Sequence, residues 1–138
     1  MKKTVLYLAM ALALASCATQ LTEKVMEKYP NGQAQVVQMI NKSGDCIKQV
    51  EYYETGQVKM EGGMKNGKRE GEWKSYFADG RTQSIGYYEA GLRMGEATVY
   101  WYNGNLREQG FYKNSHHCGK WRYYDEQGNF IREDDYGE

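Results

Sequence analysis

The chain has 138 residues with 18 basic and 18 acidic side chains, a balance that gives no electrostatic footprint for nucleic acid. Sixteen glycines against a single proline, Pro30, exclude a proline-rich disordered stalk. The length is that of one domain once any leader is set aside.

At the N-terminus, Lys2 and Lys3 precede the apolar run VLYLAMALAL, which is too short to cross a bilayer comfortably and reads as a secretory signal. The run stops at Leu14-Ala15-Ser16-Cys17, which resembles a bacterial lipobox. That resemblance implies cleavage before Cys17, a diacylglycerol thioether on its sulfur and acylation of the new amino group. Several acyl chains on one residue give a durable hold on a membrane, where one chain holds only marginally. An ordinary secretory signal with an incidental cysteine is the alternative. The expected organisation is a signal peptide over 1–16, a lipid-anchored linker over 17–28 and a repeat domain over 29–138.

Downstream, Gly32, Gly56, Gly80, Gly104 and Gly128 follow one another at a constant spacing of 24 residues. Tyr52, Tyr76, Tyr100 and Tyr124 keep the same register, as do Gly62, Gly86 and Gly110, then Met64, Tyr88 and Tyr112, then Gly71, Gly95 and Gly119, and finally Trp73, Ala97 and Trp121. Between Gly56 and Asp79, two stretches rich in residues that favour a pleated surface are separated by Asn66-Gly67 and closed by Asp79-Gly80. Asn-Gly and Asp-Gly accept positive φ at little cost, so both junctions read as turns and each unit as one β-hairpin. The predicted fold is all-β, an elongated antiparallel hairpin array of about nine or ten strands in a single twisted or curved sheet.

These residues, in the pattern G-x5-G-x-[YM]-x-[NA]-G-x3-G-x-[WA]-x2-Y-x3-G, resemble the MORN repeat variant of bacterial proteins, whose members are often described as antitoxins of the YwqK kind. The resemblance covers roughly residues 29–136. It departs in the first unit, where Gln38 and Ile47 stand for the inner glycines and Gln49 for tryptophan, and again where Ser115 stands for the turn glycine. Terminal units of an array are commonly atypical.

From residue 18 onward the chain has thirteen Val, Ile and Leu but eighteen aromatics, so rings must carry much of the stability. Glycine weakens a strand unless another group approaches closely. A ring from a neighbouring strand is therefore expected over each of Gly62, Gly86 and Gly110, and Gly86→Val is expected to lower the melting temperature.

Cys46 and Cys118 lie three periods apart. At about 4.8 Å per strand that is roughly 29 Å in an open sheet, far beyond the ~7 Å a disulfide allows, so both thiols are expected to be unpaired within one chain. Ser115-His116-His117-Cys118 contains both histidines but lacks the spaced ligand pairs of a zinc site, and reads as a turn by analogy with Gly67-Lys68-Arg69-Glu70. Glu133-Asp134-Asp135 reads as a solvated terminal charge run, and no phosphate-binding glycine loop is present.

No catalytic residue, metal or cofactor is expected. The Tyr52, Tyr76, Tyr100 and Tyr124 stripe either packs on neighbouring rungs or stacks sugar rings or an extended peptide. The expected activity is that of a non-enzymatic scaffold in the bacterial cell envelope, in the outer membrane if the source is Gram-negative. Its partner is another envelope protein or a cell-wall glycan. Neutralisation of an exported toxin, or lipid contact through the repeats, is the alternative, and the oligomeric state is left open.

Overall fold

The computed structural model describes residues 21–138 as ten strands and no helix. They are β1 (Thr22–Lys28), β2 (Ala34–Ile40), β3 (Cys46–Tyr52), β4 (Val58–Lys65), β5 (Lys68–Tyr76), β6 (Thr82–Glu89), β7 (Leu92–Tyr100), β8 (Leu106–Lys113), β9 (His116–Tyr124) and β10 (Phe130–Asp135). Each pairs antiparallel with its neighbours in the chain, giving one open sheet in the order β1 to β10. The segment 1–16 and Cys17 lie outside the described residues.

Two kinds of turn join the strands. At one edge the chain reverses through five residues: the N–H of Phe77 donates to the Arg81 carbonyl at 2.8 Å and that of Gly80 to the Phe77 carbonyl at 2.9 Å. Gly80 sits at φ 89°, and Gly32, Gly56, Gly104 and Gly128 lie between 85° and 91°. Positive φ at that bulged position is the physical requirement behind the period, because side chains with a Cβ are strained there. At the other edge β2 and β3 are joined by the same five-residue turn, with Gly44 at φ 89°, and the other three turns are two-residue, Asn66-Gly67, Ala90-Gly91 and Asn114-Ser115, all with positive φ. Ser115 tolerates φ 68°, and its hydroxyl accepts the Arg93 N–H at 3.0 Å.

Cross-strand partners share a face, so the register defines two rows. One runs Gln38, Gln49, Gly62, Trp73, Gly86, Ala97, Gly110 and Trp121, and marks what is called here the ring face. The other runs Val25, Val37, Val50, Glu61, Lys74, Ile85, Thr98, Gln109, Arg122 and Glu133, the charged face. The buried apolar side chains divide between them: Val37 and Val50 on the charged face, Trp73, Ala97 and Trp121 on the ring face.

On the ring face the expected stacking holds at two glycines of three. A Cβ at Gly62 would lie 2.3 Å from the Trp73 indole, and one at Gly110 would lie 2.3 Å from that of Trp121. Each indole N–H then donates to the carbonyl beyond its glycine, Trp73 to Gly63 at 2.9 Å and Trp121 to Phe111 at 3.0 Å. Gly86 differs from the expectation, since nothing lies within 4 Å of its would-be Cβ. Trp73 is a cross-strand partner of both Gly62 and Gly86 but leans over the first, and the residue that would cover Gly86 is Ala97. In the first unit a side-chain amide bond, Gln38 to Gln49 at 3.0 Å, replaces the ring over glycine.

Three further expectations are corrected. Residues 22–28, placed in the linker, form β1; all seven side chains are exposed, so no apolar alternation announces a strand whose hold is its ladder with β2. His116, His117 and Cys118 open β9 rather than forming a turn, because the two-residue reversal is complete at Ser115. Glu133 and Asp134 are paired rather than freely solvated: Glu133 bridges Lys120 and Arg122, both at 2.9 Å, and Asp134 meets Arg132 at 3.0 Å. Cys46 on β3 and Cys118 on β9 are free thiols six strands apart, as the open array requires.

The two glycine environments separate experimentally. Gly110→Val must displace the Trp121 ring and is expected to cost about 1–3 kcal/mol. Gly86→Val enters open space in a strand and is expected to change stability by less than about 0.5 kcal/mol. Thermal melts of the two variants measure the contrast.

Candidate binding face

A second register on the ring face brings together residues whose shared period is visible only once their chemistry is grouped. Arg69, Arg93 and His117 recur at 24-residue spacing, as do Tyr88, Tyr112 and Tyr136. In space they interleave. Arg69 pairs with Glu51 at 3.3 Å and reaches the Tyr88 hydroxyl at 3.4 Å; Arg93 reaches the Tyr88 hydroxyl at 3.4 Å and that of Tyr112 at 3.0 Å. His117 Nε2 meets the Tyr112 hydroxyl at 3.1 Å, and its ring lies 4.8 Å from that of Tyr136. The result is a ladder in which Arg69, Arg93 and His117 alternate with phenolic groups across five strands and the C-terminal tail.

The ladder roofs the buried indoles. The Arg69 guanidinium lies 4.1 Å from the Trp73 ring centroid, and the His117 ring lies 4.0 Å from that of Trp121. The guanidinium contact is favoured where the cation is partly desolvated, and the imidazole and indole pack as aromatic neighbours. Burial alone would raise the Tyr88 hydroxyl, but the hydrogen bonds from Arg93 and Arg69 outweigh it and hold that group below the ordinary tyrosine value. The same pairing raises Arg93 further, so its positive charge is secure. Arg93 has phenolic partners but no carboxylate in ion-pair range among the described residues, whereas Arg69 has Glu51.

Between Trp73 and Trp121 the ring face opens into a cavity of about 280 Å³, lined among others by Gly86, Tyr88, Arg93, Ala97, Tyr112 and the two indoles. It lies where the middle unit has Ala97 in place of tryptophan.

The sequence-predicted residues fall elsewhere. Tyr52, Tyr76, Tyr100 and Tyr124 end β3, β5, β7 and β9, are half-buried, and by strand alternation lie on the charged face. Tyr76 donates to Glu61 at 2.9 Å. Burial, then that bond, raises the hydroxyl, while Glu61 is held low first by Lys48 at 2.6 Å. Their carbonyls serve a role the sequence reading missed. Tyr52 accepts the Tyr29 hydroxyl and Tyr76 the Tyr53 hydroxyl, both at 2.8 Å, and Tyr124 accepts the Trp101 indole N–H at 3.0 Å. An aromatic donor at 29, 53 and 101 thus latches each unit to the next. The series breaks at Phe77, which has no donor; there the ring meets Tyr102 edge-on at 5.1 Å, and Arg81 covers Tyr102 at 4.0 Å while pairing with Asp79. Trp73 and Trp121 are structural on the ring face, and Gly56, Gly80, Gly104 and Gly128 are turn residues. No group of three or more metal-ligating side chains occurs among the described residues.

Residues 46–66, 69–90 and 95–114 match the MORN repeat variant. The matched segments cover the two central units and flanking strands, where rings, bulge glycines and turns recur most regularly. No curated protein matches the chain.

The Asp79–Arg81 pair offers a direct titration. Hydrogen bonds from the Arg81 side chain and backbone, then from Tyr102, hold the Asp79 carboxyl down at about 2. Because the folded value lies below the ordinary one, whatever the pair contributes is present above about pH 4 and lost as pH falls through about 2. Carboxyl NMR titration is expected to place the Asp79 midpoint near 2, and Arg81→Gln is expected to move it back toward the ordinary value.

Proposed function

We propose that this MORN-variant protein is exported, held at the bacterial cell envelope by acyl chains on Cys17, and binds a protein partner across its ring face without catalysing a reaction. Export and anchoring rest on the basic start, the short apolar run and Leu14-Ala15-Ser16-Cys17. The observation that carries the binding role is the ladder of Arg69, Tyr88, Arg93, Tyr112, His117 and Tyr136. Arginine and aromatic residues are enriched at protein interfaces, where rigid rings give contact area at little entropic cost and guanidinium adds directional bonds. The titratable groups of this face are tied to one another, Arg93 to two phenols and His117 to Tyr112, an arrangement suited to recognition rather than proton transfer. The charged face is taken up by internal pairs such as Lys48–Glu61 and Lys120–Glu133. A cell-wall glycan could stack on the same rings, and an exported toxin would be one kind of protein partner.

Metabolic labelling with a fatty acid is expected to mark the wild type and not Cys17→Ser, which is expected to leave the membrane fraction; a labelled or membrane-retained variant would remove the anchor. In cross-linked cells, a partner is expected to be captured by the wild type and by the charged-face variant Lys48→Gln but lost with Arg93→Glu. Loss with Lys48→Gln alone would transfer the interface to the opposite face, and recovery of wall glycan in place of protein would change the partner class.

A further inference from the structure

The middle unit keeps the seat for an indole but lacks the indole. At Trp73 and at Trp121 the arrangement has three parts: a glycine that clears space, a ring over it, and a carbonyl just beyond that accepts the indole N–H. Counting 24 residues from either side, Gly86 is the glycine and Tyr87 supplies the carbonyl, while the ring position is Ala97. The space over Gly86 is empty to 4 Å, and Ala97 is buried at its floor. No side chain among the described residues donates to the Tyr87 carbonyl. A glycine inside a strand weakens it unless something approaches closely, and here nothing from this chain does.

The cavity above is large enough for the missing group. At about 280 Å³ the trough, open to solvent, exceeds the ~150 Å³ apolar cavity that takes up benzene, and the nearly buried Trp73 and Trp121 stand at its margins. Arg93 also lines it, with tyrosine hydroxyls on either side and no carboxylate partner among the described residues; the one carboxylate of the lining, Glu108, is paired with Arg107 at 2.9 Å. A charge so placed, beside aromatic walls, favours an anionic group on whatever enters. The chain has no spare indole: of its three tryptophans, Trp73 and Trp121 fill their own seats and Trp101 donates to the Tyr124 carbonyl.

We propose that the gap over Gly86 and Ala97 receives one tryptophan side chain of a partner polypeptide, with a carboxylate next to that tryptophan paired to Arg93. The indole lies over Gly86 between the two resident indoles and donates its N–H to the Tyr87 carbonyl. This rests on the reading of the ring face as a binding surface, and names its central anchor.

N-acetyl-tryptophan, which has both the indole and a free carboxylate, is the probe, followed by amide NMR on the protein. Saturable shifts are expected at Gly86, Tyr87 and Ala97, with N-acetyl-tryptophanamide about tenfold weaker for want of the carboxylate. Arg93→Gln is expected to bind acid and amide alike. Ala97→Trp, which supplies the ring internally, is expected to abolish the shifts and raise the melting temperature. Gly86→Val, which occupies the same space with a smaller group, is expected to abolish them also and serves if Ala97→Trp does not fold. Absence of saturable shifts in the wild type, unchanged binding in both filled variants, or equal affinity for acid and amide in the wild type would overturn the proposal. In the pull-down, a partner lost with Arg93→Glu but retained by Ala97→Trp removes the slot and leaves the binding face standing; a partner indifferent to both removes the face itself.

Discussion

A sheet one layer thick has no opposing layer, so apolar side chains must find shelter among their neighbours in the plane. In this protein the decisive shelter is an indole laid flat over a glycine of the adjacent strand, with its N–H bound to the next carbonyl. The missing Cβ is what allows the ring to reach backbone distance, and the N–H bond removes the cost of burying the indole's polar edge. Arg69 and Tyr88 then close over Trp73, and His117 and Tyr112 over Trp121, which leaves both indoles almost wholly out of water. Remove the glycine or the ring and the ladder above loses its floor.

The array was legible in the sequence to the extent that backbone geometry constrained residue type. A bulged turn demands positive φ, glycine meets that demand most cheaply, and five such glycines in strict register disclosed the hairpins. The strand β1 was hidden because an exposed edge strand held by backbone bonds need not alternate apolar with polar. The latch at Tyr29, Tyr53 and Trp101 was hidden for another reason: what these residues share is a donor at the far side of a ring, and residue names do not display that likeness.

The candidate binding face was less legible than the fold. Tyr52, Tyr76, Tyr100 and Tyr124 formed the most regular aromatic stripe, yet they are half-buried on the charged face, where the backbone carbonyls of Tyr52, Tyr76 and Tyr124 receive the latch. Arg69, Arg93 and His117 carry the ladder and share a register that a search for identical letters passes over. Ala97 was visible as a substitution within the tryptophan series, but its consequence depended on which way Trp73 leans. Because Trp73 covers Gly62 and not Gly86, a small residue at 97 leaves a cavity instead of being masked by its neighbour.

Every strand pairs only with the strands before and after it in the chain. Inserting or deleting a whole 24-residue unit would therefore move the ends of the sheet by about two strand spacings, roughly 9.6 Å, while each remaining pair kept its register. Length in such a molecule is a heritable dial with evenly cut notches, and the distance between whatever is fastened at its two ends could be adjusted without redesigning either attachment.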